Sequence, residues 1–270
     1  MERGSGKGDI QPQERMSIFE YTGRATIAFL EELGAFFIFF FQAVTHLVRP
    51  PLFIKQFFKQ MEFIGIRSTP VVMLTGVFSG MVGALQTYHG FSLFGAESLV
   101  GSTTALSLLR ELGPVLASLM VTARAGSAMT AEIGIMRVTQ QIDALVVMGV
   151  NPLQYLIIPR VLASIIMMPM LTLIFDSIGM VGSYIVGTMV LDIDQGVFMA
   201  RITEYVGYHD LFSGLIKGAF FGAILSIVGC YKGYSTSGGA EGVGHAATQS
   251  VVISSVSILI ADYILTAVMF

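Results

Sequence analysis

Two stretches of this chain carry residues whose types and spacing have chemical consequences. The first is Arg110-Glu-Leu-Gly-Pro114, a charged pair set inside an otherwise apolar run. At membrane depth such charges are costly, and they face a cavity, a partner helix or a transport route. Arg110 lies roughly 16 Å into its span at 1.5 Å per residue. Adjacent helical residues point about 100° apart, so Arg110 and Glu111 cannot share one face. Pro114 has no N–H to give to the carbonyl of Arg110, which frees an acceptor there and bends the helix. One reading makes the pair part of a charge network that fixes helix packing. The other makes Arg110 and Glu111 polar elements of a substrate route.

The second stretch runs from Ala131 to Gly149. Ile135, Val138, Ile142 and Leu145 recur at helical spacing, and the opposite face carries Arg137, Gln140, Gln141 and Asp143. Glu132 lies near its start, and Gly149 followed by Pro152 supplies a stop. The segment is too polar to span a bilayer and too amphipathic for a loop. It reads as a helix on the membrane surface with a polar face turned to a soluble partner.

Catalytic signals do not accompany these features. Gly6-Lys-Gly8 lacks the first glycine and the hydroxyl residue of a phosphate-binding loop, and Gly238-Gly-Ala-Glu-Gly-Val-Gly244 lacks a lysine and follows no strand. The latter reads as a turn that starts the last helix. Neither G-x-S-x-G nor H-E-x-x-H occurs. His46, His89, His209 and His245 are too scattered to read as a metal site, and Cys230, the single cysteine, leaves no intrachain disulfide. No cofactor is expected.

The elements that must position these residues are membrane helices. Of 270 residues, 54% are hydrophobic and 12% charged. Soluble domains carry about 25% charged residues, so the chain is an integral membrane protein. A net charge of −3 excludes a general nucleic-acid binder. At about 20 apolar residues per span, five spans fall near 66–87, 99–124, 161–190, 212–231 and 248–270. The third is long enough to tilt or kink and contains Pro169. Residues 1–14 are polar and Gly-rich and read as a disordered tail without a signal peptide. Residues 15–65 read as interfacial helices, with Pro50-Pro51 as a break and Phe53, Phe57 and Phe58 beside Lys55 and Lys59. A competing reading makes 33–48 a sixth span. The permease domain then occupies 66–270, with 131–149 as its cytoplasmic segment.

Orientation follows the basic residues. Arg3, Lys7, Arg15, Arg24, Arg49, Lys55, Lys59 and Arg67 precede the first span, and Arg124, Arg137 and Arg160 lie between the second and third. The loop 191–211 holds only Arg201 against four acidic residues, Asp192, Asp194, Glu204 and Asp210. The N-terminus is expected in the cytoplasm. Small residues recur every fourth position at Gly76/Gly80, Gly179/Ser183/Gly187 and Gly214/Gly218/Gly222/Ser226. Such stripes let helices approach closely. They read as packing within one subunit, with a dimer interface as the alternative.

The strings Leu106–Val115, Arg124–Gly134, Met136–Leu145 and Met148–Pro152, with Gly238–Gly244 and Ala261–Phe270, resemble the MlaE/YrbE permeases of ABC lipid transporters. The similarity covers about 17–270, with Gln140 and Asn151 as mild departures. Asp143-Ala-Leu-x3-Gly149 is in addition similar to the E-A-A-x3-G element by which ABC permeases contact their ATPase, with Asp in place of Glu. The resemblance implies an all-α permease, homodimeric, in the inner membrane of a diderm bacterium. It implies cytoplasmic ATPase subunits, a periplasmic MCE-domain protein, often a STAS-domain protein, and a phospholipid substrate. On that reading Arg110, Glu111, Phe91 and Phe94 line a lipid cavity, and Glu132, Arg137, Gln140, Gln141, Asp143 and Gly149 couple to the ATPase. A secondary transporter is the first rival, though no internal repeat supports it. An intramembrane enzyme is the second, though no nucleophile–base pair supports that.

Overall fold

In this computed structural model the described residues are 18–47 and 53–269, and among them there is helix and no strand. The tail 1–14 and the break at Pro50-Pro51 lie outside them. Residues 18–42 of α1 (Ile18–Leu47) form a unit by themselves, and the rest of the chain forms a second. α1 is one continuous helix of 30 residues.

Five helical segments are long and apolar enough to cross a membrane. They are longer than hydropathy alone places them. The first, Ile54–Ser92, joins α2 (Ile54–Met61) to α3 (Thr69–Ser92) through a wide turn at Glu62–Ile66. The second, Glu97–Val138, strings together α4 (Val100–Ser107), α5 (Gly113–Val121) and α6 (Ser127–Val138). Wide π-type turns at Leu108–Leu112 and Thr122–Gly126 join those pieces. α8 (Ile158–Met189), α10 (Tyr208–Tyr234) and α11 (Gly239–Met269) supply the other three. Pro70 stands in the first turn of α3, where the N–H has no helical partner to lose, while Pro114 and Pro159 each follow closely on a π-turn inside a continuous helical segment. The stretch between the third and fourth spans is no plain loop. It holds α9 (Gln195–Tyr205), capped by Asp194, whose Oδ1 accepts a hydrogen bond from the Val197 N–H at 2.9 Å.

The segment 131–149 is not the single amphipathic helix its periodicity suggests. Its first part is the end of α6, continuous with the second span. Gln140 then turns the chain with φ 61°, and α7 (Gln141–Val147) follows as a separate short helix. The 3.6-residue period does not survive that corner. Of the four apolar positions only Ile142 is buried, while Ile135 and Val138 are exposed. Gly149, at φ 76°, ends α7 in the left-handed conformation that glycine adopts at least cost.

α8 is the central helix, packed on α3 and α10, and α10 packs in turn on α11 and α6. The small-residue stripes make these contacts within the chain. A Cβ on Gly80 would run into the Gly179 backbone, one on Gly214 into the Leu109 carbonyl, and one on Gly222 into that of Ser164. Gly80→Leu is therefore expected to separate α3 from α8. Overpacking costs about 1–3 kcal/mol or more, so the fraction of monodisperse protein in mild detergent should fall severalfold. Gly244→Ala is the control, since a Cβ there meets nothing within 4 Å. Equal yields from both variants would show that α3 and α8 are not closely docked.

Candidate functional site

The π-turn at Leu108–Leu112 holds the charged pair where α5, α10 and α11 approach one another. Wide turns of this kind leave backbone carbonyls with altered partners and recur at functional sites. Here the ammonium of Lys217 donates to the carbonyl of Arg110 at 2.9 Å, the acceptor to which Pro114 cannot give an N–H. Lys217 also meets Glu111 Oε2 at 2.8 Å, Thr266 Oγ1 at 2.7 Å and Asp262 Oδ1 at 3.1 Å. Its side chain has no exposure. A buried ammonium is tolerable only with such a complete oxygen shell.

Thr266 closes the cluster. Its hydroxyl lies 3.1 and 3.3 Å from the two Glu111 oxygens and 2.8 Å from the Asp262 carbonyl, so its single proton has acceptors on both sides. Arg110 turns the other way, as the 100° step requires. Its Nε and Nη2 both reach Asp210 Oδ1 at 2.6 Å. Asp210 is fixed by its place three residues into α10, where Oδ2 accepts the N–H of Gly207 at 2.8 Å. The two cations therefore face three carboxylates. The buried members are Lys217 and Asp210, while Arg110 and Glu111 each keep 38% of their side-chain surface exposed. That open edge is what a polar part of another molecule can reach.

Of the residues singled out in the sequence, Arg110 and Glu111 are brought into one cluster. Phe91, at the end of α3, packs against Ala84, Val100 and Val186. Phe94 lies in the turn beyond and is 83% exposed. Lys217 is not among the residues singled out, although it lies inside the fourth span. α10 begins at Tyr208, which puts Lys217 roughly 14 Å inside. The signal was available: a lysine between Gly214 and Gly218 belongs to the stripe that packs. Asp176 was not singled out either. It is 2% exposed in α8, against Gly113, and its Oδ1 has no hydrogen-bond partner. Its legible signal was an acid inside the third span.

The second group gathers around the α6–α7 corner. Arg137 pairs with Asp143 across it at 2.7 Å and lies over the Tyr234 ring at 5.6 Å from the centroid. Gln140 makes the turn itself, and Gln141 opens α7. Glu132 pairs with Arg160, the third residue of α8, at 2.8 Å. Beyond Asp143 the tip presents Val146, Val147 and Met148, with Val147 87% exposed. An apolar tip flanked by charged groups suits docking on another protein.

A polytopic all-α membrane protein, with one ionic cluster inside its bundle and a protruding corner at the end of its second span, is the class these features define. The family model described as "Permease MlaE" matches residues 57–268, and the chain belongs to the MlaE permease family. It is 48% identical over 255 residues to a probable ABC transporter permease protein of Rickettsia felis, covering 94% of this chain and 98% of that one. It is 40% identical over 252 residues to the intermembrane phospholipid transport system permease protein MlaE of Haemophilus influenzae, covering 92% and 95%. It is also 38% identical over 229 residues to the chloroplastic protein TRIGALACTOSYLDIACYLGLYCEROL 1 of Arabidopsis thaliana, covering 85% and 65%.

Proposed function

We propose that this chain is the non-catalytic permease subunit of an ATP-driven transporter that moves phospholipid between inner and outer membranes. The observation that carries the reading is membership of the MlaE family over nearly the whole chain, with a relative named for intermembrane phospholipid transport. A homodimer in the inner membrane encloses a lipid cavity. Arg110 and Glu111 offer polar groups on its wall, and Phe91 and Phe94 line its outer end. Two ATPase subunits bind on the cytoplasmic side, and an MCE-domain protein, with a STAS-domain protein where present, completes the assembly.

Coupling to the ATPase runs through the α6–α7 corner. The exposed Val146–Met148 tip and the Arg137–Asp143 pair support this. Asp143→Arg places two cations against each other and is expected to cut ATPase co-purification severalfold while leaving the chain in the membrane. The exchange Arg137→Asp with Asp143→Arg restores the pair but reverses the face. Continued loss in the exchange assigns the effect to the docking face. Full recovery would assign it to the corner's own fold, and unchanged complex in every variant would remove the corner from coupling.

The same reading fixes the sidedness. With Cys230 replaced, a cysteine at Asp194 should react with an impermeant maleimide in cells whose outer membrane is permeabilised. A cysteine at Ser237 should react only after lysis. Both positions are exposed. Reversed labelling would place the N-terminus outside and detach the corner from any cytoplasmic motor.

A further inference from the structure

We propose that the end of the bundle carrying α2, α6 and the start of α8 holds one anionic phospholipid in a site separate from the Arg110–Glu111 cluster. Its phosphodiester lies on Lys59 and Arg160, and one acyl chain lies along the groove between α2 and α8.

Two adjoining hollows carry the inference. The first is a cavity of about 390 Å³, lined by Lys59, Gln60, Glu132, Tyr155 and Arg160 among others. The second is a groove of about 290 Å³ lined only by apolar side chains, including Phe53, Phe57, Phe58, Leu162 and Ile166. Pro159 borders both, so a polar hollow opens beside an apolar one at the end of a span. That is the shape of a headgroup joined to a chain. A soluble anion has no use for the groove, and a purely apolar molecule has none for the cavity.

The charges choose the headgroup. Arg160 is 3% exposed; it pairs with Glu132 at 2.8 Å and gives a hydrogen bond to the Leu156 carbonyl at 2.6 Å, yet its Nε has no partner. Gln60 is 6% exposed, and its Oε1 also has none. Lys59 is exposed and enters no ion pair among the described residues. Two cations over one carboxylate leave a single positive charge, which matches a phosphodiester with a neutral headgroup. An unsatisfied amide oxygen asks for a donor, which a hydroxylated headgroup such as glycerol supplies. A quaternary ammonium supplies none. Glu132 is 21 positions beyond Glu111 on the same helical segment, or about 30 Å at 1.5 Å per residue. One headgroup cannot touch both sites, so the proposal stands whether or not Glu111 meets lipid.

The test uses the full chain in its cell membranes, with a photoactivatable amino acid at Ile166 in the groove or at Phe220 on the exposed side of α10, away from the groove. Both positions are partly exposed, at 43% and 53%. Adducts are identified by mass spectrometry. The expected result is phospholipid on both, with anionic, hydroxyl-bearing headgroups enriched at least threefold at position 166 over position 220. Lys59→Glu should remove that enrichment and leave position 220 unchanged. Leu162→Trp, which fills the groove without altering a charge, should lower the adduct at 166. Equal headgroup composition at both positions means ordinary bilayer lipid only and overturns the proposal. Adducts at 166 solely with protein would show that another chain covers the groove, and overturn it as well.

Discussion

Lys217→Met is expected to destroy most of the folded protein. The lysine is fully buried, and its removal leaves Glu111 and Asp262 facing each other with only the Thr266 hydroxyl between them. Deleting one partner of a fully buried ion pair costs about 3–5 kcal/mol, and because Glu111 and Asp262 keep 38% and 19% of their side-chain surface exposed, the cost here falls toward the lower end of that range. Whole domains are stable by only about 5–15 kcal/mol. The loss also removes one of the two polar links between α10 and the π-turn: the Arg110 carbonyl loses the donor that replaces the N–H missing at Pro114, and only the Arg110–Asp210 pair remains. Monodisperse protein in mild detergent should drop at least fivefold and its thermal midpoint by several degrees. The triple variant Lys217→Met, Glu111→Gln, Asp262→Asn removes the stranded charge together with its partner, and is expected to recover most of the yield. Deleting a whole buried network is often near neutral, whereas halving it is not. A stable single variant would mean that the cluster does not hold α10 and α11 to the second span. A triple variant as poor as the single one would put the cost in packing rather than in charge.

The membrane class and the five spans were legible because a hydrocarbon slab imposes its length on any helix that crosses it. Their ends were not, since hydropathy stops where polar residues begin while helices run on. α6 and the start of α10 are both such continuations. The charged pair was legible as a cost that something must offset. Its partners were not, because Lys217, Asp262 and Asp210 lie 99 to 152 positions away along the chain and only helix packing brings them together. The corner failed for another reason. Gln140 adopts a left-handed backbone that no glycine or asparagine announces, so a single period was read across what is a joint between two helices. Asp176 shows the reverse difficulty. Its type and depth mark it, but with no partner for Oδ1 the neighbouring residues do not say what it is for.

Glu111→Gln separates holding the bundle together from serving as a wall of the lipid route. Gln keeps the size of the side chain and still offers Lys217 and Thr266 an acceptor. Asp262 keeps a negative charge within 3.1 Å of the ammonium. The stability cost should stay near the 0.5–1.5 kcal/mol of an ordinary hydrogen bond, and the folded yield within about twofold of the parent. Transport should respond far more strongly if Glu111, 38% exposed at the edge of the cluster, meets lipid during the cycle. A tenfold fall in ATP-dependent phospholipid transfer corresponds to about 1.4 kcal/mol at one step, which the lost charge supplies once water leaves the cavity. A photoactivatable residue at position 111 gives an independent reading. Phospholipid adducts that disappear when the ATPase is trapped closed support a route past Glu111. Adducts confined to protein, with transfer by Glu111→Gln at the parent's rate, would reduce Glu111 to a residue that binds helices. The lipid path would then have to run past other groups. The asymmetry of burial favours the first outcome: a carboxylate needed only to neutralise Lys217 would be sealed in beside it, as Asp210 is sealed at 6% exposure beneath Arg110.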